Sequence, residues 1–231
     1  MSDETTSDTA NRPVVTVRGE ASVEVESDLV DLHLSVEARG TDRIEVLRLL
    51  ELRAGELGRL VDRFETAIER RSTDGFSVHP EFSGSRGQKL TGYSGSLSTQ
   101  LTLNDFAVLS DLVVGVNAIE LCSVGSPYWH LRRDHPAYRE ARLAAISDGM
   151  RRARDYAAAF GARIDSLLAI SDDGIDTESV MPRFKGGRTY GVRMQSGAAP
   201  EDMSFDFEPS RQRVEGAVVL RLVMSTPTLP R

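Results

Sequence analysis

Leu29-Val30-Asp31-Leu32-His33-Leu34-Ser35-Val36-Glu37-Ala38 alternates residue by residue, and its reading decides the fold. Val30, Leu32, Leu34, Val36 and Ala38 fall on one face; Asp31, His33, Ser35 and Glu37 fall on the other. A period of two belongs to a strand with one buried and one wet face, which antiparallel sheets allow. Upstream, Val14-Val15-Thr16-Val17 and Ser22-Val23-Glu24-Val25-Glu26 are also β-rich. Gly19 lies between them and suits a bulge or bend. Ser27-Asp28 is a turn signal, so this region predicts an antiparallel hairpin.

Downstream the period changes. Asp42 and Glu45 have the spacing of a capping box. Leu47, Ala54, Leu57, Val61, Phe64 and Ile68 then recur every three or four residues, which predicts one long amphipathic helix over about Asp42 to Arg71. Gly55 and Gly58 inside it are expected to allow close packing on the sheet. Gly75 ends this region, and Phe76 to Phe82 and Leu90 to Leu103 form a second strand pair around Gly84-Ser85-Arg86-Gly87. In its second strand Tyr93, Leu97, Leu101 and Leu103 share a face opposite Ser94, Ser96, Ser98 and Gln100.

Asn104 or Asp105 caps a short helix through Val116, and Ile119 to Leu131 reads as a strand interrupted at Pro127. Asp134-His135-Pro136 starts a last helix, with proline in the first turn where its missing N–H is harmless. That helix runs to about Phe160 and stops at Gly161, a residue suited to a left-handed end. Its apolar positions are mostly alanine, including Ala137, Ala141, Ala145, Ala153 and Ala157, so it is built to lie close to a neighbour. Leu167 to Ile170 is a short strand. Val214 to Met224, apolar on both faces, reads as central in a sheet. The order of elements predicts an α+β fold, with antiparallel sheets packed against two long helices.

The chain has 231 residues, 40% hydrophobic and 27% charged, which is enough for a sizeable core. Its net charge of −7 argues against a generic nucleic-acid binder. Cys122 is the single cysteine, so neither an internal disulfide nor a cysteine-cluster metal site exists. Residues 1–12 carry no apolar run of the ~7–15 residues a secretory signal needs. No segment reaches the ~18 apolar residues of a membrane span. A cytoplasmic protein is expected, with residues 1–12 a disordered acidic tail, 13–226 one domain and 227–231 a short tail. Residues 172–209 form a long polar connection, of a kind usually mobile or functional.

Chemistry-bearing motifs are few. Gly84-x-x-Gly87 lies between two strands and lacks the helix and lysine of a phosphate loop. Gly92-Tyr93-Ser94-Gly95 has the wrong spacing for a nucleophile elbow. His79, His130, Asp134 and His135 are the only grouping for a metal, and nothing in the spacing makes them converge; surface or capping roles are the better reading. Cys122 lacks a local base and reads as a core residue. Arg151-Arg152-x-Arg154 and Arg132-Arg133 read as solvated faces with acidic partners. Tyr128 and Trp129, at a strand end, suit either a subunit interface or core packing. No catalytic, metal or cofactor residue is assigned.

Val15-Thr16-Val17-Arg18-Gly19-Glu20-Ala21, the strand from Asp31 to Val36, and Gly92-Tyr93-Ser94 form a recognisable series. So does the helix Ala137-x-x-Glu140-Ala141-Arg142 that continues to Ala157-x-x-Phe160-Gly161. From about Pro13 to Ser225 this resembles the SIMPL domain family, or domain-of-unknown-function 541 family, which includes bacterial periplasmic immunogenic and oxidative-stress-related proteins. The helix ending in Ala-x-x-Phe-Gly is its most specific part. The resemblance implies a SIMPL-type fold of antiparallel sheets with long helices, and homo-oligomers in some members. It supplies no catalytic residues. The expected function is therefore a non-enzymatic oligomeric scaffold or binding module in stress response. The alternatives are a small-molecule binding protein with residues 172–209 as a lid, and, further off, a metal-dependent hydrolase.

Overall fold

The computed structural model describes residues 12–83, 89–172 and 205–228. Residues 1–11, the loop at 84–88, most of the proposed lid (173–204) and 229–231 lie outside them. The fold is α+β, with antiparallel sheets, two long helices and a third shorter one. The chain divides into two compact units, each with its own sheet.

The larger unit is built on β2 (Leu29–Gly40), the stretch of strict alternation. Val30, Leu32, Leu34 and Val36 are fully buried, and Ala38 nearly so. Each such apolar side chain contributes about 1.5–3 kcal/mol when withdrawn from water. β2 lies antiparallel to β4 (Lys89–Leu103), which pairs on its other side with β3 (Ile68–Ser83). The predicted face of Tyr93, Leu97, Leu101 and Leu103 packs on the core. On the far edge of β2 are two short strands, β5 (Cys122–Val124) and β6 (Tyr128–His130). They are the single strand expected over 119–131, broken at Gly125-Ser126-Pro127.

Helix α1 (Arg43–Asp62) starts as the cap spacing indicates: Asp42 accepts from the N–H groups of Ile44 and Glu45 at 2.7 and 3.2 Å. It does not continue to Arg71. After Asp62 the chain turns through Glu65–Ala67, and Ile68 already opens β3. The helical spacing persists across this boundary because Phe64 and Ile68 still pack on the same core from a turn and a strand. Leu47 is exposed; the buried stripe is Val46, Leu50, Leu57 and Val61. Gly55 and Gly58 meet only the side chains of Arg59 and Arg71, while room for Val46 and Leu50 comes from Gly95 in β4. Gly75 lies within β3 at a register shift and terminates nothing.

Helix α2 (Leu109–Ala118) begins later than expected. Asp105 accepts from Ala107 N–H at 3.0 Å in the preceding turn, and Val108 holds the cap position. Past β6, Arg132 closes the unit electrostatically. Its backbone N–H and Nε donate to Asp28 at 2.9 and 2.7 Å, and its Nη2 to Glu69 at 3.0 Å.

The smaller unit has a three-stranded sheet ordered β1-β8-β7, from β1 (Val14–Glu26), β8 (Arg211–Met224) and β7 (Ile164–Asp172). β8 is central, as its apolar faces indicate. The expected hairpin of 14–26 with 29–38 is not formed: β1 pairs in this sheet and β2 in the other. Alternation identifies a strand but not its partner. Helix α3 (Pro136–Ala159) buries Ala137, Ala141, Ala145, Gly149, Ala153 and Ala157, each four residues from the last. Gly161 closes it with φ +63°.

Gly19 does not interrupt β1. A Cβ there would lie 2.6 Å from the backbone nitrogen of Gly149, and one at Gly216 would lie 2.6 Å from the carbonyl carbon of Ala141. Both glycines sit where the backbone of α3 meets the sheet directly. On α3, Asp148 gathers Arg151, Arg152 at 2.8 Å and the N–H of Glu20 at 3.1 Å. The hydrogen bond from Arg151, then that from Glu20, holds its carboxyl below the ordinary carboxylate range.

Two outcomes follow. Gly216→Val should cost about 1–3 kcal/mol by overpacking; Gly75→Ala, with nothing near its Cβ position, should stay within about 0.5 kcal/mol of the parent. Urea unfolding measures both. Asp148 titrates lower in the folded chain than the ~3.9 of an unfolded aspartate. Its stabilisation is therefore complete above that value and lost as pH falls through the folded one. Asp148→Asn should be less stable than the parent at neutral pH, with the gap closing as unfolding is followed below about pH 4.

Candidate functional site

The larger unit carries an open groove of about 600 Å³ between α1 and the end of α2. Arg53, Glu56, Leu60 and Arg63 recur at three and four residues along α1, which brings them to one side of the helix. With Arg59 they form one wall. Gly115, Ala118, Ile119 and Glu120 form the other. The methyl carbons of Leu60 come within 2.9–3.0 Å of where a Cβ on Gly115 would stand, so glycine admits Leu60 to the groove floor.

The chain leaves α2 through Leu121, whose φ of 66° lies in the left-handed region that costs a non-glycine residue about 1–2 kcal/mol. This turn sets Glu120 against Arg53. Arg53 donates to Glu56 at 2.9 Å and also to Glu120. Its hydrogen bond with Glu56 is the main cause that raises its pKa above the ordinary guanidinium value. Its Nε is buried and has no hydrogen-bond partner.

Trp129 packs on the core, edge-on to Phe106 with ring centroids 4.8 Å apart. Tyr128 is exposed and stacks on His130 at 5.7 Å. Of the two residues read as an interface candidate, Tyr128 is exposed and Trp129 is partly buried.

The histidines are dispersed. His33 Nδ1 lies 3.8 Å from Asp74. His79 stands in β3 opposite Ser94. His135 caps α3, its Nδ1 accepting from Ala137 N–H at 3.2 Å. His130 Nε2 lies 3.3 Å from Asp31 Oδ1. Among the described residues no group of three or more His, Cys, Asp or Glu side chains is placed to hold a metal. The Asp31–His130 pair has the makings of a catalytic dyad, but the nearby hydroxyl is bonded in the wrong order. Thr102 Oγ1 donates to Asp31 Oδ1 at 2.6 Å, and Gln100 donates to Oδ2 at 2.9 Å. An activated nucleophile would donate to the imidazole instead.

Three of the five clustered arginines have acidic partners: Arg151 and Arg152 on Asp148, Arg132 on Asp28 and Glu69. Cys122 is half-buried on the core side of β5. Burial first, then Glu56, pushes its thiol up, against the pull of Arg53.

A family model described as SIMPL, protein of unknown function (DUF541), matches residues 15–222. The chain belongs to the SIMPL family. No curated protein matches it. The resemblance read in the strand and helix motifs thus extends over nearly the whole chain, and the family's description assigns no activity.

Two surfaces escaped the sequence reading. One is the groove, whose arginines look like the solvated back of α1. The other is β7, an outer strand of its sheet with Leu167, Leu168 and Ile170 each about half exposed.

A raised thiol pKa means little thiolate at neutral pH. Cys122 should react with iodoacetamide more slowly than free glutathione in the folded protein, and at a comparable rate in urea. A folded-state rate at or above that of glutathione contradicts this reading.

Proposed function

We propose that this SIMPL-family protein is a non-enzymatic, cytoplasmic homo-oligomer that serves as a scaffold or binding module, with stress response as its setting. The observation that supports assembly is β7. Its outer edge has no partner strand among the described residues. From Ser166 to Ser171 it carries no charge and no proline, and Leu167, Leu168 and Ile170 are 54%, 46% and 52% exposed. Monomeric proteins blunt such edges with charge, proline or bulges, because unpaired N–H and C=O groups template another strand. β7 has two register shifts against β8, yet its apolar side chains remain in solvent. Asp165, at one end, is already engaged by Arg163 and Arg12 at 3.4 and 3.6 Å. Edge pairing with a second copy would cover these side chains and satisfy the strand's backbone.

The non-enzymatic part draws support from the bonding at Asp31, where the hydroxyl serves the carboxylate and not the imidazole.

Size-exclusion chromatography with light scattering tests the assembly. The parent is expected to elute as an oligomer, and Leu168→Lys with Ile170→Lys should shift it to monomer while leaving thermal unfolding cooperative. A parent that stays strictly monomeric at high concentration overturns the proposal.

A further inference from the structure

We infer that the groove between α1 and α2 binds a small amphipathic anion, a carboxylate or phosphate monoester on a short apolar body. This is independent of assembly through β7. The argument is one of charge accounting within the groove. Its two carboxylates, Glu56 and Glu120, are both taken by Arg53. Arg59 and Arg63 line the same groove and have no carboxylate partner among the described residues. Two guanidinium groups beside a concavity are suited to the paired oxygens of a carboxylate or phosphate, which they can bind through two parallel N–H···O bonds.

The floor specifies the rest of the ligand. Leu60, Ala118 and Ile119 add apolar surface to the charged lining. A volume of about 600 Å³ falls within the range of small-molecule sites. Arg53, tied to α1 through Glu56 and to the end of α2 through Glu120, keeps the two walls in register. Its own charge is largely spent, so selectivity for an anion falls to Arg59 and Arg63.

Hexyl phosphate and hexanoate are suitable probes, with hexanol and inorganic phosphate as controls. Each is titrated into the full-length protein while the amide resonances of Leu60 and Ile119 are followed by NMR. The two amphipathic anions should give saturable shifts, with both controls at least about tenfold weaker. Arg59→Gln with Arg63→Gln should weaken binding about tenfold or more, whereas Arg154→Gln, on α3, should leave it unchanged. If the double variant does not melt cooperatively, Arg59→Lys with Arg63→Lys replaces it; losing the planar fork while keeping the charge should still weaken binding. Hexanol binding as well as hexyl phosphate, anion shifts that survive loss of both arginines, or no saturation below about 10 mM would each overturn the inference.

Discussion

Helix α3 meets its sheet main chain to main chain at Gly19 and Gly216, and the smaller unit depends on that contact. Six small residues at four-residue intervals, from Ala137 to Ala157, form the buried side of the helix. At Gly19 and Gly216 the strands answer with hydrogen alone. The unit's buried cluster is correspondingly modest: Val17, Val218, Leu220 and Leu222 with two alanines of α3. Close backbone approach compensates through dispersion, since atoms at contact distance each contribute little but are many. Such a contact cannot relax around an added methyl group, because what the methyl would meet is main chain.

The larger unit solves the same problem differently. Its helices pack through branched side chains, with Val46, Leu50, Leu57 and Val61 set into the face of β2 and β4. The opposite face stays wet and is organised by hydroxyls and charges. Ser35 bonds Ser123 at 2.8 Å, Ser77 bonds Ser96 at 3.0 Å, and Asp31 takes both Gln100 and Thr102. Across strands these pairs hold register without demanding burial. At Asp31 the carboxylate is held by Gln100 and Thr102 of the neighbouring strand, with His130 Nε2 3.3 Å away.

Local pattern was legible wherever local physics determines structure. The alternation of β2, the Asp42 cap, the alanine side of α3 and the left-handed stop at Gly161 all read directly. What failed was non-local. Periodicity carried α1 past Asp62 because a turn and a strand present Phe64 and Ile68 to the same core as the helix does. The hairpin of β1 with β2 failed because two adjacent alternating stretches predict pairing only if no other strand competes, and β8 lies nearly two hundred residues from β1. Gly19 was noticed for the wrong reason: a strand glycine signals either a bulge or a close neighbour, and the neighbour comes from α3. The groove was hidden for a similar cause. Arg53, Arg59 and Arg63 on a helix are ordinary solvated residues until the end of α2 supplies Glu120 and takes one arginine out of the account.

That removal matters more in this chain than in a basic one. With a net charge of −7, the far field repels anions, and a ligand gains nothing from long-range steering. Attraction has to come from charges within roughly one Debye length, about 8 Å at physiological salt. Most arginines discussed above are neutralised at shorter range than that, by Asp28, Glu69, Glu56, Glu120 or Asp148. Arg59 and Arg63 are different because the two carboxylates that line their groove are already committed to Arg53. Whether a surface arginine is available to a ligand therefore depends less on how many arginines the sequence holds than on which carboxylate each one meets first.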